Sequence, residues 1–128
     1  MDLVYPIAYL QTEDFNPDGT IKDIPLLERH RKLVVLVQSG QCGHCDRAKP
    51  AFQSVANYLK HKANFATIQI DDGKAGDPQD LQRIIGSIEP NFKGFPDYVM
   101  FVDGEPIKGF KPKGRSETAL MRWINSYQ

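Results

Sequence analysis

The sequence predicts an α/β domain. Short apolar runs alternate along the chain with stretches of helical periodicity, the pattern of strands linked by helices. One run, Leu33-Val34-Val35-Leu36-Val37, is apolar throughout, as expected of a central strand buried on both faces of a parallel sheet. No internal repeat, low-complexity tract or linker divides the 128 residues, so residues 1–128 are expected to form one domain with its own hydrophobic core.

Taken in order, Ile7-Ala8-Tyr9-Leu10 is a short strand candidate, ended by the polar Gln11-Thr12-Glu13-Asp14. Asn16-Pro17-Asp18-Gly19 is a turn signal. Pro25 to Arg31 suits a short helix with Leu26 and Leu27 inward and Glu28, Arg29 and Arg31 outward. The apolar strand at Leu33 to Val37 follows. From His44 to about His61 the pattern is helical: Ala48, Phe52, Val55 and Leu59 form one stripe, with Asp46, Lys49, Gln53, Asn57 and Lys60 on the other side. Pro50 should kink this helix, because it removes a backbone donor and crowds the preceding turn. Phe65 to Ile70 alternates as a strand and Asp71-Asp72-Gly73 closes it.

Asp77 and Pro78 read as the cap and first turn of a helix that turns Leu81, Ile84 and Ile85 inward. Tyr98 to Val102 is a strand, Asp103-Gly104 a hairpin turn, and Pro106 to Phe110 its partner. Ser116 can cap a last helix carrying Leu120, Trp123, Ile124 and Tyr127. Phe52, Phe65, Phe101 and Trp123 are core candidates.

Sixteen basic residues balance sixteen acidic ones, which argues against nucleic acid or an anionic membrane as the main partner. No run approaches the roughly 18 apolar residues of a membrane span. The segment Met1 to Pro6 lacks a basic stretch ahead of an apolar one, so a cytoplasmic or other intracellular location is the default expectation. In a reducing compartment, two cysteines set close together are more often catalytic or metal-binding than structural.

The only two cysteines stand in Cys42-Gly43-His44-Cys45, directly after the apolar strand. If Cys45 opens the helix, Cys42 lies at its N-terminus, where unpaired N–H groups and the helix dipole favour an anion. A thiolate is such an anion, and it is the form that attacks disulfides. Two cysteines are also half of a zinc site. A closed site needs four ligands, and the remaining histidines, His30 and His61, supply no second paired motif. No metal and no organic cofactor are expected.

The strand and helix order, with CxxC after the second strand, resembles the thioredoxin superfamily, and Cys-Gly-His-Cys is most similar to the catalytic domains of protein disulfide isomerases. The resemblance runs from about Ile7 to Tyr127. Pro50 falls where that family kinks its helix, Gly94-Phe95-Pro96 matches its segment ending in a cis proline, and Asp103-Gly104-Glu105 matches its hairpin. It implies a thioredoxin fold, a central mixed sheet of about five strands flanked by helices on both faces. It also implies thiol–disulfide exchange with protein substrates that carry disulfides or dithiols, and an upstream redox partner.

By this resemblance Cys42 is the exposed nucleophile and Cys45 the shielded resolving thiol. Gly43 allows the tight turn between them, and His44 is either a partner that would lower the pKa of Cys42 or a solvated residue at the helix start. Pro96 would face the pair, with the backbone of Phe95 offered to an extended substrate segment. Asn16 to Pro25 and Asp72 to Asp80 are longer than in a minimal member and are candidates for partner docking or dimerisation.

Four positions depart from the family pattern. Gln41 replaces the usual tryptophan before the first cysteine, Leu36 an acid that serves the second thiol, and Thr67 the lysine often paired with that acid. Losing acid and lysine together is coherent, since either alone would be a costly buried charge. The loss predicts slow exchange unless water or another side chain serves Cys45. Asp97 replaces the commoner threonine after Pro96, and its charge should raise a neighbouring thiol's pKa against the effect of His44. Lys108, Lys111, Lys113 and Arg115 read as a solvated basic loop. The alternative to an enzyme is a redox-inactive interaction module that uses the Pro96 face to hold a partner.

Overall fold

A computed structural model describes residues 1–23 and 25–127. Five strands form one mixed sheet: β1 (Ile7–Tyr9), β2 (Lys32–Gln38), β3 (Asn64–Gln69), β4 (Asp97–Val102) and β5 (Glu105–Pro106), in the spatial order β1-β3-β2-β4-β5. β3 pairs in parallel with both β1 and β2, whereas β2–β4 and β4–β5 are antiparallel. β2 is therefore central, and every residue from Leu33 to Gln38 is buried.

Three helices cover the two faces: α1 (Gly43–Leu59), α2 (Pro78–Ile88) and α3 (Glu117–Ser126). Alternation along the strands sorts the core. Val34, Leu36, Phe65, Tyr98 and Met100 meet Phe52, Val55 and Leu59 of α1 and Leu120, Trp123 and Ile124 of α3. On the opposite face Val35, Val37, Ile68, Val99 and Phe101 meet Leu81, Ile84, Ile85 and Ile88 of α2, together with Phe15 and Ile21. This is the thioredoxin fold, with helices on both faces of a five-stranded mixed sheet.

Several boundaries differ from those expected of the sequence. The polar segment that ends β1 makes one 3-10 turn, Thr12–Asp14, closed by the Asp14 carboxylate accepting from the Gln11 amide at 2.7 Å. The helix expected over Pro25 to Arg31 is a 3-10 turn over Pro25–Glu28. Of its side chains Leu27 is half-buried, while those expected of Leu26 inward and Glu28 outward lie outside the described residues.

The partner strand of β4 stops at Pro106 rather than reaching Phe110. Gly109 has φ +77°, a left-handed conformation that breaks the extended backbone. The hairpin turn itself is as expected: Asp103 (φ +53°) and Gly104 (φ +83°) both take the positive φ that a type I′ turn requires. α1 runs through Pro50 without ending there.

The two long stretches fold back on the domain. Ile21 is buried and Ala75 packs in the core, with the Thr12 amide donating to the Ala75 carbonyl at 2.7 Å. No helix of the described residues is long and apolar enough to cross a membrane.

Candidate active site at the start of α1

β2 delivers the chain to Ser39, and a three-residue loop then leads into α1. The loop is held from both ends. The Gly40 amide donates to Asp71 Oδ1 at 2.9 Å, just beyond the end of β3, and the Gln41 amide donates to Ser39 Oγ at 3.2 Å. Cys42 is the N-cap, with extended backbone (φ −103°, ψ 117°). Its sulfur takes the role that a serine or aspartate oxygen usually plays, accepting the Cys45 amide at 3.2 Å.

The two thiols have different surroundings. Cys42 is half-buried, whereas Cys45, inside the first turn, is completely buried, and both are free. The Cys42 sulfur lies 3.9 Å from the Phe95 carbonyl, and the Ser39 amide donates to the Cys45 sulfur at 3.5 Å. The Phe95–Pro96 peptide is cis, Pro96 is buried and Phe95 half-buried. Gly94 ahead of them has φ +139°, a conformation that suits glycine. Cys42, Cys45, Phe95 and Pro96 thus come together at one end of the sheet.

Electrostatics widen the asymmetry. The Cys45 thiol, donating to the Cys42 sulfur, is the main force that holds Cys42 below the ordinary thiol range; the amides of Cys45 and His44 add to it, and burial and the Asp46 carboxylate oppose it. Burial is the main cause that pushes Cys45 up to about 11, reinforced by the Cys42 sulfur and opposed by the Ser39 amide and the charge of Lys49. One sulfur is prepared to ionise and the other to keep its proton.

Two expectations about neighbours need correction. The His44 imidazole is exposed and its Nδ1 lies 2.6 Å from an Arg47 guanidinium nitrogen, so the part of His44 that serves Cys42 is its backbone amide. An imidazole nitrogen facing a guanidinium acts as acceptor. Asp97 does not act on Cys42 either: it pairs with Lys111 Nζ at 3.2 Å and accepts its neighbour Tyr98's amide at 2.9 Å. The carboxylate that raises Cys42 is Asp46.

The family model described as Thioredoxin matches residues 9–126. The chain belongs to the thioredoxin family. A thioredoxin-like protein of Invertebrate iridescent virus 6, protein 453L, is 35% identical over 130 residues, covering 93% of this chain and 92% of that one. Among solved structures, form I of human ERp44 superposes with a TM-score of 0.69 at 18% identity, over 98% of this chain and 30% of that one. The zinc-bound form of human ERp44 gives 0.63 at 20% identity, over 94% and 31%. The J-Trx1 fragment of ERdj5 gives 0.65 at 19% identity, over 94% and 49%. The chain thus spans about a third of ERp44 and about half of that fragment, and these similarities concern the fold.

Within this thioredoxin-family domain the layer beneath the cysteines is neutral. Leu36 and Thr67 are fully buried, and the Thr67 hydroxyl donates to the Leu36 carbonyl at 2.7 Å. Gln38, also fully buried, donates to the Thr67 hydroxyl at 3.4 Å, and its own carbonyl oxygen has no partner among the described residues. Among the described residues no group of three or more His, Cys, Asp or Glu side chains is placed to hold a metal ion.

Three site residues escape a reading of the sequence. Asp71 is legible there only as a turn residue, yet it braces the loop into Cys42. Lys49, expected on the outer side of α1, is 5% exposed. Lys111 stands in the sequence with the solvated basic loop, yet it donates to the buried Glu89 carboxylate at 2.7 Å and to the Tyr98 carbonyl at 2.7 Å. With Asp97 and Arg115 it lines an open groove of about 480 Å³ beside Phe95 and Pro96.

Proposed function

We propose that this chain is a thiol–disulfide oxidoreductase exchanging its Cys42–Cys45 dithiol and disulfide with protein substrates. The observation that carries the reading is the asymmetry of the pair: a half-buried sulfur at the N-cap of α1, lowered in pKa, beside a buried thiol raised to about 11. A merely structural pair would have no use for this division.

In the forward direction the Cys42 thiolate attacks one sulfur of a substrate disulfide. A Cys42–substrate bond forms, the substrate S–S bond breaks, and the departing sulfur takes up a proton. Cys45 then loses its proton and attacks the Cys42 sulfur. The Cys42–Cys45 disulfide forms, and the substrate's second sulfur leaves as a thiolate and is protonated in turn. Two electrons have passed to the substrate. A dithiol partner upstream restores the pair by the same steps reversed, and a substrate dithiol is oxidised when the potentials favour it. The Phe95 backbone, beside the Cys42 sulfur, suits an extended substrate segment recognised through its main chain.

Insulin reduction with dithiothreitol as electron source tests the activity, and the reading expects a rate above that of dithiothreitol alone. A Cys45→Ser variant should accumulate Cys42 mixed disulfides with disulfide-bearing substrate proteins. No acceleration together with no trapped species would sink the enzyme reading and leave the interaction module.

A further inference from the structure

Cys45 is the difficult thiol of the cycle. It is fully buried, its pKa is about 11, and no acid–lysine pair lies beneath it, because those positions are Leu36 and Thr67. A thiolate must nevertheless form there for the mixed disulfide to resolve. The groups around it can be enumerated by element. α1 and the loop before it contribute Cys42, Asp46, Lys49 and the Ser39 amide. On the same face of the sheet the buried polar side chains Gln38 of β2 and Thr67 of β3 are neutral. β4 contributes Tyr98, whose buried hydroxyl has no partner among the described residues and, chiefly through burial, keeps its proton to about 12. Arg115 acts on that hydroxyl, and Asp97 is occupied by Lys111.

Lys49 stands out. It is four residues after Cys45, so the two side chains share one face of the helix. Its side chain is 6% exposed, and among the described residues its ammonium reaches one carboxylate, the exposed Asp46, at 3.5 Å. An ammonium carries three donors, and burial with a single long partner is unfavourable unless another anion is near. A thiolate at Cys45 is the anion this arrangement lacks. We infer that Lys49 is a positioning residue for Cys45, its buried ammonium stabilising the thiolate that forms when the mixed disulfide is resolved. This rests on the proposed exchange chemistry, and it assigns to α1 the task that the sheet leaves undone. The direction agrees with the downward pull of Lys49 on Cys45.

The test isolates Cys45 from turnover. In a Cys42→Ser background the two upward pulls of the Cys42 sulfur are gone, which brings the Cys45 titration into reach of thiolate absorbance and of iodoacetamide alkylation against pH. Lys49→Met should move the midpoint up by about one unit, roughly a tenfold loss of thiolate at fixed pH, and Lys49→Arg should keep it near the starting value. In the chain with both cysteines, Lys49→Met should prolong the Cys42 mixed disulfide by about tenfold, since release follows the Cys45 thiolate fraction. An unchanged midpoint in Lys49→Met, or equal shifts in Lys49→Met and Lys49→Arg, would overturn the inference and reduce Lys49 to a packing residue. Lys49→Gln serves the same reading if the methionine variant does not fold. The titration needs no substrate, so the two failures separate: absent insulin reduction counts against the exchange function, and an unmoved midpoint counts against Lys49.

Discussion

At the scale of single residues, the chemistry depends on two sulfurs three positions apart that the chain treats in opposite ways. Cys42 gains from the donors at the start of α1, and Cys45 loses through burial. With iodoacetamide and mass spectrometry, Cys42 should be alkylated at a lower pH than an ordinary thiol. Cys45, buried and raised, should be modified only after Cys42 at every pH. Equal labelling of both at neutral pH would contradict the asymmetry.

The place of these two residues was legible in the sequence because an N-cap is a local device, decided within four residues. The orientation of His44 was not, since its ring turns to Arg47, one helical turn on. Lys49 misled for a different reason. A stripe drawn through Ala48, Phe52, Val55 and Leu59 leaves it outside, but counting Cys45 as a core residue gives Cys45, Lys49, Phe52 and Ala56, all buried at helical spacing.

At the scale of elements, what the sequence revealed well were the strands with uninterrupted apolar runs and the helices with capping residues. Asp77 accepts the amides of Gln79 (3.0 Å) and Asp80 (3.1 Å), and Pro78 follows in the first turn, so α2 starts where the cap says. Replacing Asp77 with alanine leaves those donors to water and should lower stability by about 1 kcal/mol. Urea unfolding would read this, and no loss would mean that water serves the helix end equally well. The weak elements were misjudged in extent. The helix expected over Pro25 to Arg31 is only the single 3-10 turn Pro25–Glu28. β5 ends early because Gly109 turns the chain away.

At the scale of the whole molecule, the Glu89–Lys111–Asp97 group ties distant parts of the chain together. Glu89 is 2% exposed and accepts the Gly109 amide at 3.1 Å as well as Lys111. It joins the end of α2 to the loop before α3, and through Asp97 to the segment holding Phe95 and Pro96. Burial alone would raise Glu89, but Lys111 and the amides of Gly109 and Asn91 outweigh it and bring its pKa below the usual value. A carboxyl depressed in the folded state stabilises the fold above its unfolded pKa, and that contribution fades as the pH falls through the folded value.

Lys111→Met should therefore destabilise the domain by about 3 kcal/mol at neutral pH, because it strands a buried carboxylate. The penalty should shrink toward about pH 4, where Glu89 can take a proton instead. Denaturant unfolding at the two pH values distinguishes this from an exposed pair, whose removal would cost less than about 1 kcal/mol at either. Such a tie is invisible in sequence, since its partners are far apart along the chain and a lysine among other basic residues looks like solvent-facing charge.

The neutral bed of Leu36, Thr67 and Gln38 under the cysteines also sets the proton count of the redox cycle. With no carboxyl in that layer to titrate alongside the thiols, reducing the pair takes up two protons below the pKa of Cys42 and one between the two thiol values. The midpoint potential then falls by about 59 mV per pH unit in the first range and about 30 mV in the second, from the two-electron relation. The two bends of that curve would mark the ionisations of the two sulfurs, as Asp46 and Lys49 tune them.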